Sequence, residues 1–182
     1  YADGRLTVRD PDVTERVMID VKSLEATGAL SDSRAPDNTA LLGMMSFVSN
    51  FAVAETGTEG RPRWIFDSGT DAFDYLKAGE TVQLVYEVEA VDDAGLTDTQ
   101  LVTVISKGQN DTPHFLWGGD VADILETNAP LEEDGTLNVR DLDTASDLTA
   151  EIRAPLVTGN KHDPATPSLA ELNAMMTIDA TP

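Results

Sequence analysis

The chain has no cysteine and only two histidines among its 182 residues. Disulfides, thiolate zinc sites and cysteine nucleophiles are therefore excluded together, and cysteine usage leaves the redox compartment unmarked. Cations are scarce as well. Twelve Lys and Arg stand against 33 Asp and Glu, a formal net charge of −21, which argues against nucleic acid as a partner. Aromatic residues make up 5% and hydrophobic residues 41%, enough for a small packed core and too apolar for wholesale disorder. No apolar run approaches the roughly 18 residues of a membrane-spanning helix, and the opening stretch has neither a basic nor an apolar segment of signal-peptide type. Beginning at Tyr1 rather than Met, the sequence reads as a piece of a longer protein.

What is abundant is aspartate. Asp outnumbers Glu 21 to 12, and the Asp residues gather beside Gly, Asn, Pro and Thr. Turns rich in Asp supply the oxygen ligands a hard cation needs, although Asp is also a preferred turn and cap residue with no metal at all.

The chain also repeats itself. DGRLTVRDPD at 3–12 recurs as DGTLNVRDLD at 134–143, a shift of 131 residues. The same shift carries Thr27-Gly28 onto Thr158-Gly159, Asp32 onto Asp163, Leu41 onto Leu172 and Met44-Met45 onto Met175-Met176. No insertion is needed over the 51 overlapping positions. A constant offset over such distances marks a tandem repeat. Residues 1–113 are expected to form a first unit lacking its N-terminal strand, and 114–182 the N-terminal part of the next.

Strand patterning dominates. In residues 81–91 (TVQLVYEVEAV), Val82, Leu84, Tyr86, Val88 and Ala90 alternate with mostly polar neighbours. Residues 99–106 are its expected hairpin partner across the turn Asp92-Asp93-Ala94-Gly95. Shorter strands are expected at 5–9, 17–21, 63–66, 121–126, 136–140 and 148–152. Helix is minor: Ser168 opens a capping box with Glu171, its counterpart is expected at 38–45, and Asp71 is placed to cap one turn. The fold class is all-β, with an Ig-like or cadherin-like sandwich as the architecture and a small β-barrel as the alternative.

Three stretches carry a family resemblance: ETNAPLEEDGTLNVRDLDTASDLTAEI at 126–152, RWIFDSGTDAFDYLKAGETVQLVYEVEAVDDAG at 63–95 and VTVISKGQNDTP at 102–113. Together they resemble the VCBS and bacterial cadherin-like repeats of giant secreted surface adhesins. The resemblance implies an extracellular, cell-surface protein of a Gram-negative bacterium, exported by a type I system and acting in adhesion or biofilm formation. It departs from the family of eukaryotic cadherins in having Lys107-Gly108-Gln109 before Asn110-Asp111, where the linker motif would carry a further Asp.

Catalytic chemistry finds little support. His114 and His162 share no pattern, and neither a GxSxG motif nor zinc-protease histidine spacing occurs. A non-enzymatic role is expected. Calcium is the expected ligand, because six to eight oxygens can come from acidic loops without histidine. Three groups of residues are candidates. Asp10 and Asp12, with their copies Asp141 and Asp143, form Asp-x-Asp pairs; Asp92 and Asp93 occupy a hairpin turn; Asn110 and Asp111 lie at the joint between units. Asp141 and Asp143 are expected to come back beside Asn110 and Asp111, with Glu80 within reach, forming the stronger site. Asp10 and Asp12, with only Asp92 and Asp93 near them, should form a weaker or empty one. Trp64 and Phe66 are assigned to the core and Trp117 to an inter-unit or exposed contact.

The expected function is a calcium-stiffened spacer whose partners are neighbouring repeats, with strand exchange between chains as a further mode of contact. The alternative is a carbohydrate- or matrix-binding module that uses variable loops such as 52–62.

Overall fold

The structure is a computed structural model and describes residues 1–12, 14–116, 119–143, 148–159 and 165–179. Trp117 and His162 lie outside the described residues. In chain order the elements are β1 (Ala2–Arg5), β2 (Val8–Arg9), β3 (Val17–Gly28), α1 (Asn38–Gly43), β4 (Met45–Phe47), β5 (Phe51–Val53), β6 (Glu59–Gly60), β7 (Arg63–Phe66), β8 (Thr81–Asp92), β9 (Thr97–Lys107), β10 (His114–Phe115), β11 (Val139–Arg140) and α2 (Leu169–Ala174). The chain is built mainly from antiparallel strands with little helix, as its patterning predicts. Contacts divide it into two units, Tyr1–Thr144 and Ala145–Pro182.

The larger unit is organised on β8. Its alternation places Val82, Leu84, Tyr86 and Val88 on one face at 2% exposure or less. Hydrogen-bonded ladders flank it on both sides, in the sheet order β5-β3-β8-β9. The β8–β9 hairpin turns where expected: Gly95 takes φ +84°, a conformation other residues rarely adopt, and Asp92 accepts the Leu96 N–H at 2.8 Å. β3 runs on to Gly28, well past the expected end at Val21, because a bulge at Lys22 re-phases its alternation.

A three-stranded sheet, β1-β7-β4, supplies Phe66, whose ring meets Tyr86 edge-on at 6.3 Å between centroids. Leu41 of α1 and Met45 complete that core, and the Tyr86 hydroxyl donates to the Leu41 carbonyl at 2.7 Å. Phe66 is buried, while Trp64 is half-buried against the same cluster.

Several expected elements are corrected. The strand expected at 5–9 is two short strands, β1 and β2, which pair with different partners, β7 and β6. No strand forms at 121–126 or 148–152; Val121 is 86% exposed, and alternation without a partner strand does not make a sheet. Only Val139–Arg140 of 136–140 is strand. The one turn expected from Asp71 forms as two linked turns, the Asp74 N–H reaching the Asp71 carbonyl at 3.4 Å and the Leu76 N–H the Phe73 carbonyl at 3.0 Å. The stretch 52–62, expected as a long loop, carries part of β5 and all of β6.

Local structure recurs at the offset found in the sequence. β2 and β11 lie 131 residues apart, as do α1 and α2. Their N-caps, Asp37 and Ser168, have matching extended conformations (φ −69°, ψ 168° and φ −64°, ψ 161°). Gly28 and Gly159 both take positive φ, +107° and +101°. The surroundings differ. Met45 is 4% exposed, whereas its counterpart Met176, in the smaller unit, is 60% exposed.

Candidate metal centre

Asp10 directly follows β2, and Pro11 behind it, lacking an N–H, stops the strand from continuing. The chain then turns: Asp10 Oδ1 accepts the Asp12 N–H at 2.9 Å, and the Glu15 N–H reaches the Asp12 carbonyl at 3.4 Å. Glu15 is thereby swung back towards the end of β8, where Asp92 opens the hairpin turn. One carboxylate oxygen each from Asp10, Glu15 and Asp92 lies within 4.8 Å of the others. Asp10 is buried; Glu15 and Asp92 are half-buried. This is the only such three-carboxylate group among the described residues.

Among the described residues no Lys or Arg forms an ion pair with Asp10, Glu15 or Asp92. Arg16, the nearest cation in sequence, directs its guanidinium to Glu55 at 3.2 Å and Asp93 at 3.9 Å, and lies over the Phe51 ring. Its N–H is held by Asp93 at 3.1 Å. Loss of hydration raises the Glu15 pKa above its ordinary value, and repulsion from Asp92, Asp12, Asp10 and Asp93 adds to the rise. Asp10 Oδ1 and Asp92 Oδ1 each accept one backbone N–H, which fixes both carboxylates in place and leaves each of them lone pairs for an ion. All are hard oxygen donors with no histidine or thiolate among them, which suits calcium or magnesium and not zinc.

The joint is assembled differently. Asp141 Oδ1 accepts the Asp143 N–H at 2.9 Å, the same turn as Asp10 and Asp12 make. Asp143 is buried, and its Oδ2 accepts the Asp111 N–H at 2.8 Å, so Asp143 does return beside Asp111. The strand that brings them together is β10, pairing with β11, and not the stretch 121–126. The Asn110 amide donates to the Asp111 carbonyl at 2.6 Å. Glu80 stays apart in its own turn, where its carboxylate accepts the Lys77 N–H at 3.1 Å and its carbonyl the Gly108 N–H at 3.0 Å. At the joint, then, Asp141 and Asp143 each give an oxygen to a backbone N–H, while at the Asp10 turn three carboxylates from separate segments converge as well. Asp93 serves Arg16 and Asp12 faces solvent.

Glu15 is the residue that reading the sequence passed over. Its counterpart one repeat later is Ser146, so the repeat carries no second copy of this carboxylate. The signal available was a third carboxylate three residues beyond an Asp-x-Asp pair.

Comparison with protein-family models, with curated proteins and with solved structures returned no match.

Proposed function

We propose that this chain is a non-enzymatic, calcium-stiffened repeat of a bacterial cell-surface adhesin, of the VCBS or cadherin-like kind with a sandwich architecture, acting as a spacer outside the cell. The observation that carries the reading is the return of β2, its Asp turn, the positive-φ glycine and the capped helix at one constant offset. Serial repetition of a structural unit suits a rod that sets distance, with adjoining repeats as its chief partners. The carboxylates of Asp10, Glu15 and Asp92 give such a rod a place for calcium, and extracellular modules work in the calcium range of about 0.1–1 mM. A bound ion would tie the end of β2 to the β8–β9 turn, fixing one end of the unit.

Calorimetric titration with calcium tests this, using the intact chain and Glu15→Gln. A millimolar or tighter site in the parent that is weakened at least ten-fold in the variant is expected. Absence of any calcium-dependent heat or thermal shift in the parent would remove calcium from the reading. Hydrolysis of a glycan or peptide that depends on one of these carboxylates would remove the spacer role.

A further inference from the structure

The turns that follow β7 and the end of β9 enclose a cavity of about 290 Å³, lined wholly by residues within 68–111. Backbone contacts hold its two walls together. The Gly108 N–H donates to the Glu80 carbonyl at 3.0 Å, and a side chain at Gly108 would run into the Lys77 and Leu76 carbonyls. On the other wall the Gly69 N–H is held by Asp67 Oδ1 at 3.0 Å, and the Leu76 N–H by the Phe73 carbonyl at 3.0 Å. The buried Leu76 and the half-buried Phe73 add apolar surface backed by the core.

The polar lining is not used up by the fold. Thr70, Asp74, Ser106, Lys107, Gln109 and Asp111 line the cavity, and none of their side chains makes a hydrogen bond or ion pair among the described residues. Asp74, Ser106 and Asp111 are nonetheless half-buried. Two carboxylates, two hydroxyls, an ammonium and a carboxamide thus offer acceptors and donors on a frame that other bonds already fix.

That inventory selects among ligands. Two carboxylates against one ammonium disfavour an anion. A hard cation wants several oxygens converging on one point, and the only three-carboxylate group among the described residues is the one at Asp10. A wholly apolar ligand would cover polar groups and leave them without partners. A neutral polyhydroxylated ring satisfies the lining: its hydroxyls donate to Asp74 and Asp111 and accept from Lys107 and Gln109, while its C–H groups meet the apolar surface. The volume falls just under the roughly 300–1,000 Å³ of small-molecule pockets, room for one such ring.

We propose that this cavity binds a single neutral hexose residue of a glycan. The site rests neither on calcium nor on the stretch 52–62. One ring in an open cavity gains few contacts, so its affinity is millimolar.

Saturation-transfer NMR of the intact chain tests this in the presence of EDTA, with the methyl glycosides of glucose, galactose and mannose as probes and glucuronic acid as the acidic comparison. A saturable signal from at least one neutral glycoside is expected, weakened at least five-fold in Asp74→Ala and in Gln109→Ala and unchanged in Thr56→Ala, within 52–62. Gln109 is exposed and its side chain makes no hydrogen bond among the described residues, so Gln109→Ala keeps the fold even where Asp74→Ala does not. No saturable signal from any neutral glycoside, binding of glucuronic acid alone, or a signal indifferent to Gln109→Ala would overturn the proposal. Calcium titration reads the Asp10 site separately, so failure here leaves the spacer reading standing.

Discussion

The Asp111 N–H donates to the buried carboxylate of Asp143 at 2.8 Å, joining the residues just before β10 to the turn that ends β11. Asp143→Ala should lower stability by about 1–3 kcal/mol, the usual cost of losing a hydrogen bond to a charged group, with the loss confined to the β10–β11 end. Hydrogen exchange reads it: the Asp111 and Leu116 amides should lose protection while those of β8 keep theirs.

Glu15 sets a pH dependence of definite sign. Its pKa is raised in the folded chain, mainly by desolvation and then by Asp92 and its neighbours, so the folded state holds the proton more tightly than the unfolded state does. Stability without metal should therefore fall as pH rises from the ordinary carboxylate value of 4.5 through the raised one, and the effect should be absent below that window. Glu15→Gln should flatten this fall in thermal melts followed from pH 4 to about 7. Calcium should flatten it in the parent and do little in the variant.

Tyr86 is fully buried, and its hydroxyl is bonded to the Leu41 carbonyl. Tyr86→Phe keeps the edge-on contact with Phe66 but strips that bond, and should cost about 1–2 kcal/mol in denaturant unfolding. Burial pushes the Tyr86 pKa up to about 12 from 10.0. The unfolded chain thus ionises first, and stability should decline as pH rises between those values. A parent whose alkaline melting curve matches that of Tyr86→Phe would contradict the assignment.

Gly60 lies in β6 where a side chain would run into the Ala52 carbonyl of β5. Gly60→Ala has no flexible neighbour to displace, only backbone, so it should destabilise by roughly 2 kcal/mol or more and loosen β6 from β2. Gly95→Ala, at a positive-φ turn with open space around it, should cost only about 1 kcal/mol. Equal melting temperatures for the two variants would count against the packing of β5 on β6.

What could be read from the residues alone depended on how local each signal is. β8, β9, their turn and the helix caps are encoded within a few neighbours, and they appear where alternation and capping put them. β3 was legible only to Val21, because the bulge at Lys22 moves the inward set from Val17, Ile19 and Val21 to Leu24 and Ala26. The pattern looks broken there although the strand is not. β4, β5 and β6 are two or three residues long, too short for any period, and exist because partners distant in sequence hold them. At the candidate metal centre, Asp10 and Asp92 were identifiable as turn aspartates, but their convergence with Glu15 is a product of tertiary packing.

The β8–β9 hairpin closes between neighbours, while β3 must find β8 across the whole intervening chain, Gly28 pairing with Val82 and Val17 with Asp92. Hairpins form in about 1–10 μs, whereas a chain made at about 5–20 residues per second keeps β3 waiting some seconds for its partner. During that interval Val17, Ile19 and Val21 are a ready-made seed for aggregation. Asp20, Lys22 and Glu25 are interleaved with them and, in the finished sheet, point away from the core. Their charge acts before the fold exists, keeping an unpartnered strand in solution until the hairpin arrives to receive it.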